Sequence, residues 1–182
     1  MHLFFGDGTG GLSHAPERLP EPAREWSNHA GTVAADFDED GDLDVVLVNR
    51  SAPDELWWND GTGTFTRDAS APFASETRAS VAASAADIDG DGDLDLFENN
   101  KDTRFNVLYR NDGGTFVDIT EDFGLEGADL RYPLETFATA AGDANHDGWD
   151  DLLLFVRGIA TEGPFLEGHV LWLNAQGRGF VD

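Results

Sequence analysis

The stretch Asp87-Ile-Asp-Gly-Asp-Gly-Asp-Leu-Asp95 decides the reading of this chain, because it is repeated. It stands upstream as Asp36-Phe-Asp-Glu-Asp-Gly-Asp-Leu-Asp44 and downstream as Asp143-Ala-Asn-His-Asp-Gly-Trp-Asp-Asp151. Each copy follows a run of small residues (Thr32 to Ala35, Val81 to Ala86, Ala138 to Gly142) and precedes an apolar run (Val45 to Val48, Leu94 to Phe97, Leu152 to Val156). Apolar runs of this length between turn residues read as buried strands.

A second element trails each acidic stretch: Leu56-Trp-Trp-Asn-Asp-Gly-Thr-Gly-Thr-Phe65, Leu108-Tyr-Arg-Asn-Asp-Gly-Gly-Thr-Phe116 and Leu171-Trp-Leu-Asn-Ala-Gln-Gly-Arg-Gly-Phe180. A weaker copy, Leu3-Phe-Phe-Gly-Asp-Gly-Thr-Gly-Gly-Leu12, opens the chain. Asn-Asp-Gly and Gly-Thr-Gly supply the positive-φ positions of tight hairpin turns. One repeat is therefore strand, acidic loop, strand, connection, strand, tight turn, strand. A unit of about 50 residues forming a four-stranded antiparallel sheet is the period of a propeller blade, which must stack on neighbours to bury its faces. The expected fold is all-β, a β-propeller segment with a half-blade at 1–13 and full blades at 31–68, 80–118 and 137–182.

The acidic loops have the chemistry of a hard-cation site. Side-chain oxygens at positions 1, 3, 5 and 9, a carbonyl at 7 and glycine at 6 can wrap such an ion. The first loop offers Asp36, Asp38, Asp40 and Asp44 with the carbonyl of Asp42, around Gly41. The second offers Asp87, Asp89, Asp91 and Asp95 with the carbonyl of Asp93; the third offers Asp143, Asn145, Asp147 and Asp151 with the carbonyl of Trp149. All-oxygen ligation favours calcium, at three sites. An isolated acidic turn has a bland explanation as solvated surface; three in register with one hairpin do not. The same spacing begins an EF-hand, but position 12 is Leu47, Glu98 or Leu154 and the flanks are strand-like, so that alternative is rejected.

Composition agrees. With 36 acidic against 11 basic residues the formal charge is −25, which repels phosphate backbones and anionic lipid, so neither nucleic acid nor membrane insertion is expected. A multivalent cation is the first partner to expect. No cysteine is available for disulfides or thiolate metal sites. The opening residues lack the basic start and apolar core of a secretory signal.

These loops and Leu-x-x-Asn-x-Gly hairpins resemble FG-GAP/VCBS repeats, as in integrin α-subunit propellers and cartilage acidic protein-like proteins. The Phe-Gly and Gly-Ala-Pro landmarks are degenerate in this chain. The resemblance implies calcium loops on one propeller face, a protein or glycan ligand on the opposite face, and an extracellular, cell-surface or periplasmic location. It also implies about seven blades, so the remainder of the propeller or further copies of the chain are expected beside this one. The opposite face would be built from Arg50 to Asp54, Asn99 to Arg104 and Arg157 to Gly168, and from the inter-blade connections, where Trp26 and Tyr132 with Arg24 and Arg131 are recognition candidates.

The expected role is a calcium-stabilised interaction scaffold, not an enzyme. Some lectins and polysaccharide lyases are similar calcium propellers. A lectin would need exposed aromatics between blades, whereas Trp57, Trp58 and Trp172 occupy strand positions that fill the space between blades. A lyase could draft Glu135, Arg131 and Tyr132, whose spacing is not diagnostic. His146 falls at a non-ligand loop position. Ser80, Thr136 and His29 share a place seven residues before their loops, which suits packing better than nucleophilic chemistry.

Overall fold

A computed structural model describes residues 2–20, 28–101, 106–125, 134–158 and 167–181. Among these described residues fourteen strands form one two-stranded and three four-stranded sheets, all antiparallel and each in sequence order. The N-terminal hairpin is β1 (Phe4–Gly6) and β2 (Leu12–His14). The first blade is β3 (His29–Ala35), β4 (Asp44–Asn49), β5 (Glu55–Asn59) and β6 (Phe65–Asp68). The second is β7 (Ser80–Ala86), β8 (Asp95–Asn100), β9 (Val107–Asp112) and β10 (Thr115–Asp118). The third is β11 (Leu134–Gly142), β12 (Asp151–Gly158), β13 (Glu167–Asn174) and β14 (Phe180–Val181). The fold is the expected all-β stack of propeller-type blades.

The first strand of each blade is longer than the small-residue run suggests, and it carries a β-bulge at the same place each time. The register shifts between His29 and Gly31, between Ser80 and Ala82, and between Thr136 and Ala138. One extra residue there bends the strand and increases its twist. At the second and third bulges the preceding residue is structural: Ser80 Oγ donates to Glu98 Oε1 at 2.7 Å, and Thr136 Oγ1 donates to Asn106 Oδ1.

Strand alternation sends consecutive side chains to opposite faces. Leu96 of β8 joins Val46, Leu56, Phe37, Tyr109 and Phe116 in a core between the first and second blades. Its neighbour Phe97 joins Ile88, Leu108, Leu152, Leu154 and Trp172 between the second and third. A residue of the connecting segment plugs each core. Phe73 meets Tyr109 and Phe116 edge-on with centroids 5.3 Å away, and Phe123 lies 5.8 Å from Phe180. Fully burying each large side chain contributes about 1.5–3 kcal/mol, so these two cores hold the stack.

In the second and third blades the Asn of the Leu-x-x-Asn hairpin adds a polar lock between blades. Asn111 Nδ2 donates to the carbonyl of Leu94 in its own blade (3.1 Å) and of Phe37 in the preceding acidic loop (2.7 Å). Asn174 Nδ2 repeats this with Asp150 (3.1 Å) and Ile88 (2.7 Å). Asn59 has the own-blade bond alone among the described residues, to Leu43 at 3.2 Å in an exposed setting. Leaving a buried carbonyl unpaired costs about 1–3 kcal/mol. Asn111→Ala and Asn174→Ala are therefore expected to lose about 2 kcal/mol in urea unfolding, and Asn59→Ala less than about 1 kcal/mol. Equal losses at all three positions would remove the inter-blade role.

Candidate functional site

Each acidic stretch is the loop between the first and second strands of its blade, and the three loops lie at one end of the stack. Gly41, Gly92 and Gly148 at position 6 have φ of 94°, 104° and 92°, a conformation costly for any side chain with a Cβ. Their N–H groups bond back to the aspartate at position 1: Gly41 to Asp36 at 3.1 Å, Gly92 to Asp87 at 3.2 Å and Gly148 to Asp143 at 3.0 Å.

The aspartate at position 9 is buried in every loop and is used twice. Asp44 accepts from Phe37 N (3.1 Å) and Asn59 N (2.9 Å); Asp95 accepts from Ile88 N and Asn111 N (both 2.9 Å). Asp151 accepts from Ala144 N (3.0 Å) and Asn174 N (2.8 Å). Each carboxylate so joins its loop to the end of the third strand, with lone pairs left over for a cation.

The remaining carboxylates converge. Asp36, Asp38 and Asp40 each bring an oxygen within 4.8 Å of the others, and so do Asp87, Asp89 and Asp95. Asp36 Oδ1 is buried without a hydrogen-bond partner. Asp91 N donates to Asp89 Oδ1, and Asp93 N to Asp91 Oδ1, which folds Asp91 into the same loop. The side chains of Asp42 and Asp93 turn away to their own hairpins: Asp93 Oδ2 accepts from Gly113 N at 2.7 Å, and Asp42 Oδ2 lies 2.5 Å from where a Cβ on Gly61 would be. That leaves their carbonyls, not their carboxylates, for the loop interior.

Gathering acids in this way perturbs them. Burial pushes Asp95 up to about 7, with the charges of Asp89 and Asp91 adding to the effect. Burial likewise raises Asp44, and it raises Asp89 together with the charge of Asp91. In the third loop Asn145 replaces one carboxylate and donates to Asp147 Oδ2 at 3.0 Å. Burial there is outweighed by the N–H groups of Gly148 and Asp147, which hold Asp143 below the usual carboxylate range.

Trp149 at position 7 of the third loop reaches its neighbours: its ring lies 2.5 Å from where a Cβ on Gly90 would stand and 3.0 Å from one on Gly177. His146 is exposed with φ of 64°. Trp57 and Trp172 are buried, and Trp58 donates from Nε1 to Asp68 at 3.1 Å, so the strand tryptophans serve packing. Trp26, Arg24, Arg131 and Tyr132 lie outside the described residues, as does the side chain of Glu135.

Four-stranded blades, each with an acidic loop after its first strand and stacked face to face, define a propeller-type repeat protein. Residues 36–98 match the FG-GAP-like repeat family, so the chain carries an FG-GAP-like repeat running from the first acidic loop into β8. No curated protein matches the chain. Among the described residues no helix is long and apolar enough to cross a membrane.

A second polar group, missed in the sequence, lies at the opposite end of the blades. Asp54, Ser80 and Glu98 are all buried. Ser80 bridges toward both acids, and Asp54 also accepts from Asn49 N at 2.7 Å. Glu98 Oε2 and the Tyr109 hydroxyl are buried without hydrogen-bond partners. Burial, reinforced by the Glu98 charge, pushes Asp54 up to about 8, and burial raises Glu98 as well. Nothing in the spacing of Asp54 and Glu98 signals this; only blade stacking brings them together.

A carboxyl whose folded pKa is raised binds its proton more tightly in the folded state. Its stabilising contribution is full below the unfolded value near 4 and is lost as pH rises toward 8. Asp54→Asn is expected to flatten the fall in stability between pH 5 and 8, followed as urea midpoints at fixed saturating calcium. A constant difference between variant and parent across that range would contradict the protonated pair.

Proposed function

We propose that this protein is a calcium-stabilised interaction scaffold that works outside the cytoplasm, at the cell surface, in the periplasm or in the extracellular medium. The observation that carries the reading is the convergence of Asp36, Asp38 and Asp40, and of Asp87, Asp89 and Asp95, on all-oxygen sites. The buried, unpartnered Asp36 Oδ1 fits a cation. Like charges about 4 Å apart repel by about 4 kcal/mol at an effective dielectric near 20, and a divalent ion turns that repulsion into attraction.

Asp36, Asp38, Asp40 and Asp44, with the Asp42 carbonyl, would hold the first ion. Asp87, Asp89, Asp91 and Asp95, with the Asp93 carbonyl, would hold the second. Asp143, Asn145, Asp147 and Asp151, with the Trp149 carbonyl, would hold a third. The chemistry supplied is charge neutralisation and loop rigidity. The FG-GAP-like repeat supports a role in binding rather than in catalysis. Loops of this type suit the ~10⁻⁴ to 10⁻³ M calcium of extracellular modules, which supports the location. The ligand is a protein or glycan received on the face opposite the loops.

Calcium at a hundredfold excess over Kd stabilises by about 2.7 kcal/mol per site. A chelator is therefore expected to lower Tm by several degrees, and Asp89→Ala to reduce the calorimetric stoichiometry by one ion while Glu121→Gln leaves it unchanged. A Tm unmoved by chelator, or equal stoichiometry in both variants, would overturn the calcium assignment.

A further inference from the structure

The carbonyls held by Asn111 and Asn174 belong to different acidic loops, and each lies between cation ligands. Asn111 Nδ2 donates to Leu94, position 8 of the second loop, at 3.1 Å, and to Phe37, position 2 of the first, at 2.7 Å. Leu94 stands between Asp93 and Asp95, and Phe37 between Asp36 and Asp38. Asn174 Nδ2 does the same one repeat later. Asp150 is position 8 of the third loop (3.1 Å) and Ile88 position 2 of the second (2.7 Å). A side-chain amide has two N–H donors, and here each loop of a neighbouring pair takes one.

Neither amide is free to follow one loop alone. Asn111 Oδ1 accepts from Gly114 N and Asn174 Oδ1 from Gly177 N, both at 2.8 Å. The backbone N–H groups of the same two residues donate to Asp95 and Asp151, position 9 of the later loop, at 2.9 and 2.8 Å. Both asparagines are buried. The turn that follows closes on position 3 of the earlier loop: a Cβ on Gly114 would stand 3.3 Å from Cβ of Asp38, and one on Gly177 3.1 Å from the carbonyl oxygen of Asp89. Displacing one loop therefore displaces donors on which its neighbour depends.

An acidic loop of this kind has two arrangements: without a cation its carboxylates repel and it opens, and with one it closes. We propose that the loops take up calcium cooperatively, Asn111 coupling the first site to the second and Asn174 the second to the third; this rests on the calcium reading of the loops. Closing one loop fixes the amide to which the next is tied, so the next ion meets a site already ordered, and affinity rises without a new contact. The coupling is reciprocal, and the second loop, tied on both sides, feels it from both neighbours. Asn59 bonds Leu43 of its own loop alone among the described residues, so it is the same asparagine without the link.

Calcium titration calorimetry in 0.15 M salt, where repulsion between bound ions is screened beyond about 8 Å, tests this with a double-mutant cycle. The wild type is expected to bind with a Hill coefficient above 1, which Asn111→Ala lowers and Asn59→Ala does not. Asp143→Ala disables the third loop and should weaken binding at the remaining sites at least about fivefold. In an Asn174→Ala background the same substitution should leave those sites unchanged. Near-ultraviolet circular dichroism in calcium checks that each variant is folded. Asn111→Ser and Asn174→Ser, with one donor in place of two, serve where an alanine variant unfolds. A wild type that binds no calcium would remove the calcium reading and the coupling with it. Ions that bind independently, or an Asp143→Ala effect undiminished without Asn174, would overturn the coupling and leave the calcium reading standing.

Discussion

The buried aspartate that closes each acidic loop is the constraint on which the rest depends. Asp44, Asp95 and Asp151 each accept one N–H from the start of their loop and another from the end of the third strand. One carboxylate therefore fixes where the loop sits over its own sheet. Because Asn111 and Asn174, which supply the second N–H to Asp95 and Asp151, also reach into the neighbouring loop, loop position and blade stacking are set together there. A neutral side chain of the same size could not satisfy both donors as well, since charge-assisted bonds are about twice as strong as neutral ones.

That arrangement concentrates charge. The loops lie at one end of the stack, while the buried acids Asp54 and Glu98 lie at the other. The two ends handle the difficulty differently. At the loop end, backbone N–H groups absorb part of the charge, as at Asp143, and the proposed cations absorb the rest. At the far end Ser80 Oγ donates to Glu98, yet burial outweighs it and favours a bound proton.

The repeated motif made the blade legible before any coordinates, because loop, apolar strand and hairpin recur in fixed order. Position 6 glycines, strand order and the packing role of Trp57 and Trp172 all followed from local chemistry. The bulges did not: nothing in His29-Ala-Gly, Ser80-Val-Ala or Thr136-Phe-Ala marks an extra residue, since a bulge is defined by the partner strand. The inter-blade reach of Asn111 and Asn174 was hidden for a related reason. In the sequence an asparagine before a glycine reads as a turn residue, which it is; its amide proton's second acceptor lies in another repeat, 74 or 86 residues away. The pairing of Asp54 with Glu98 is likewise a product of stacking.

The asparagine lock also gives the stack a direction. The second and third blades each donate from this asparagine to a carbonyl of the blade before, and their Tyr109 and Phe116, or Trp172 and Phe180, pack against that preceding blade. A blade inserted the other way round would set donor against donor and bulk against bulk. Tandem duplication of the gene segment always preserves that orientation, so a newly copied unit meets a surface that already fits it. Lengthening such a chain requires no new contact to be invented, and three loops of one pattern are what a history of copying would leave behind.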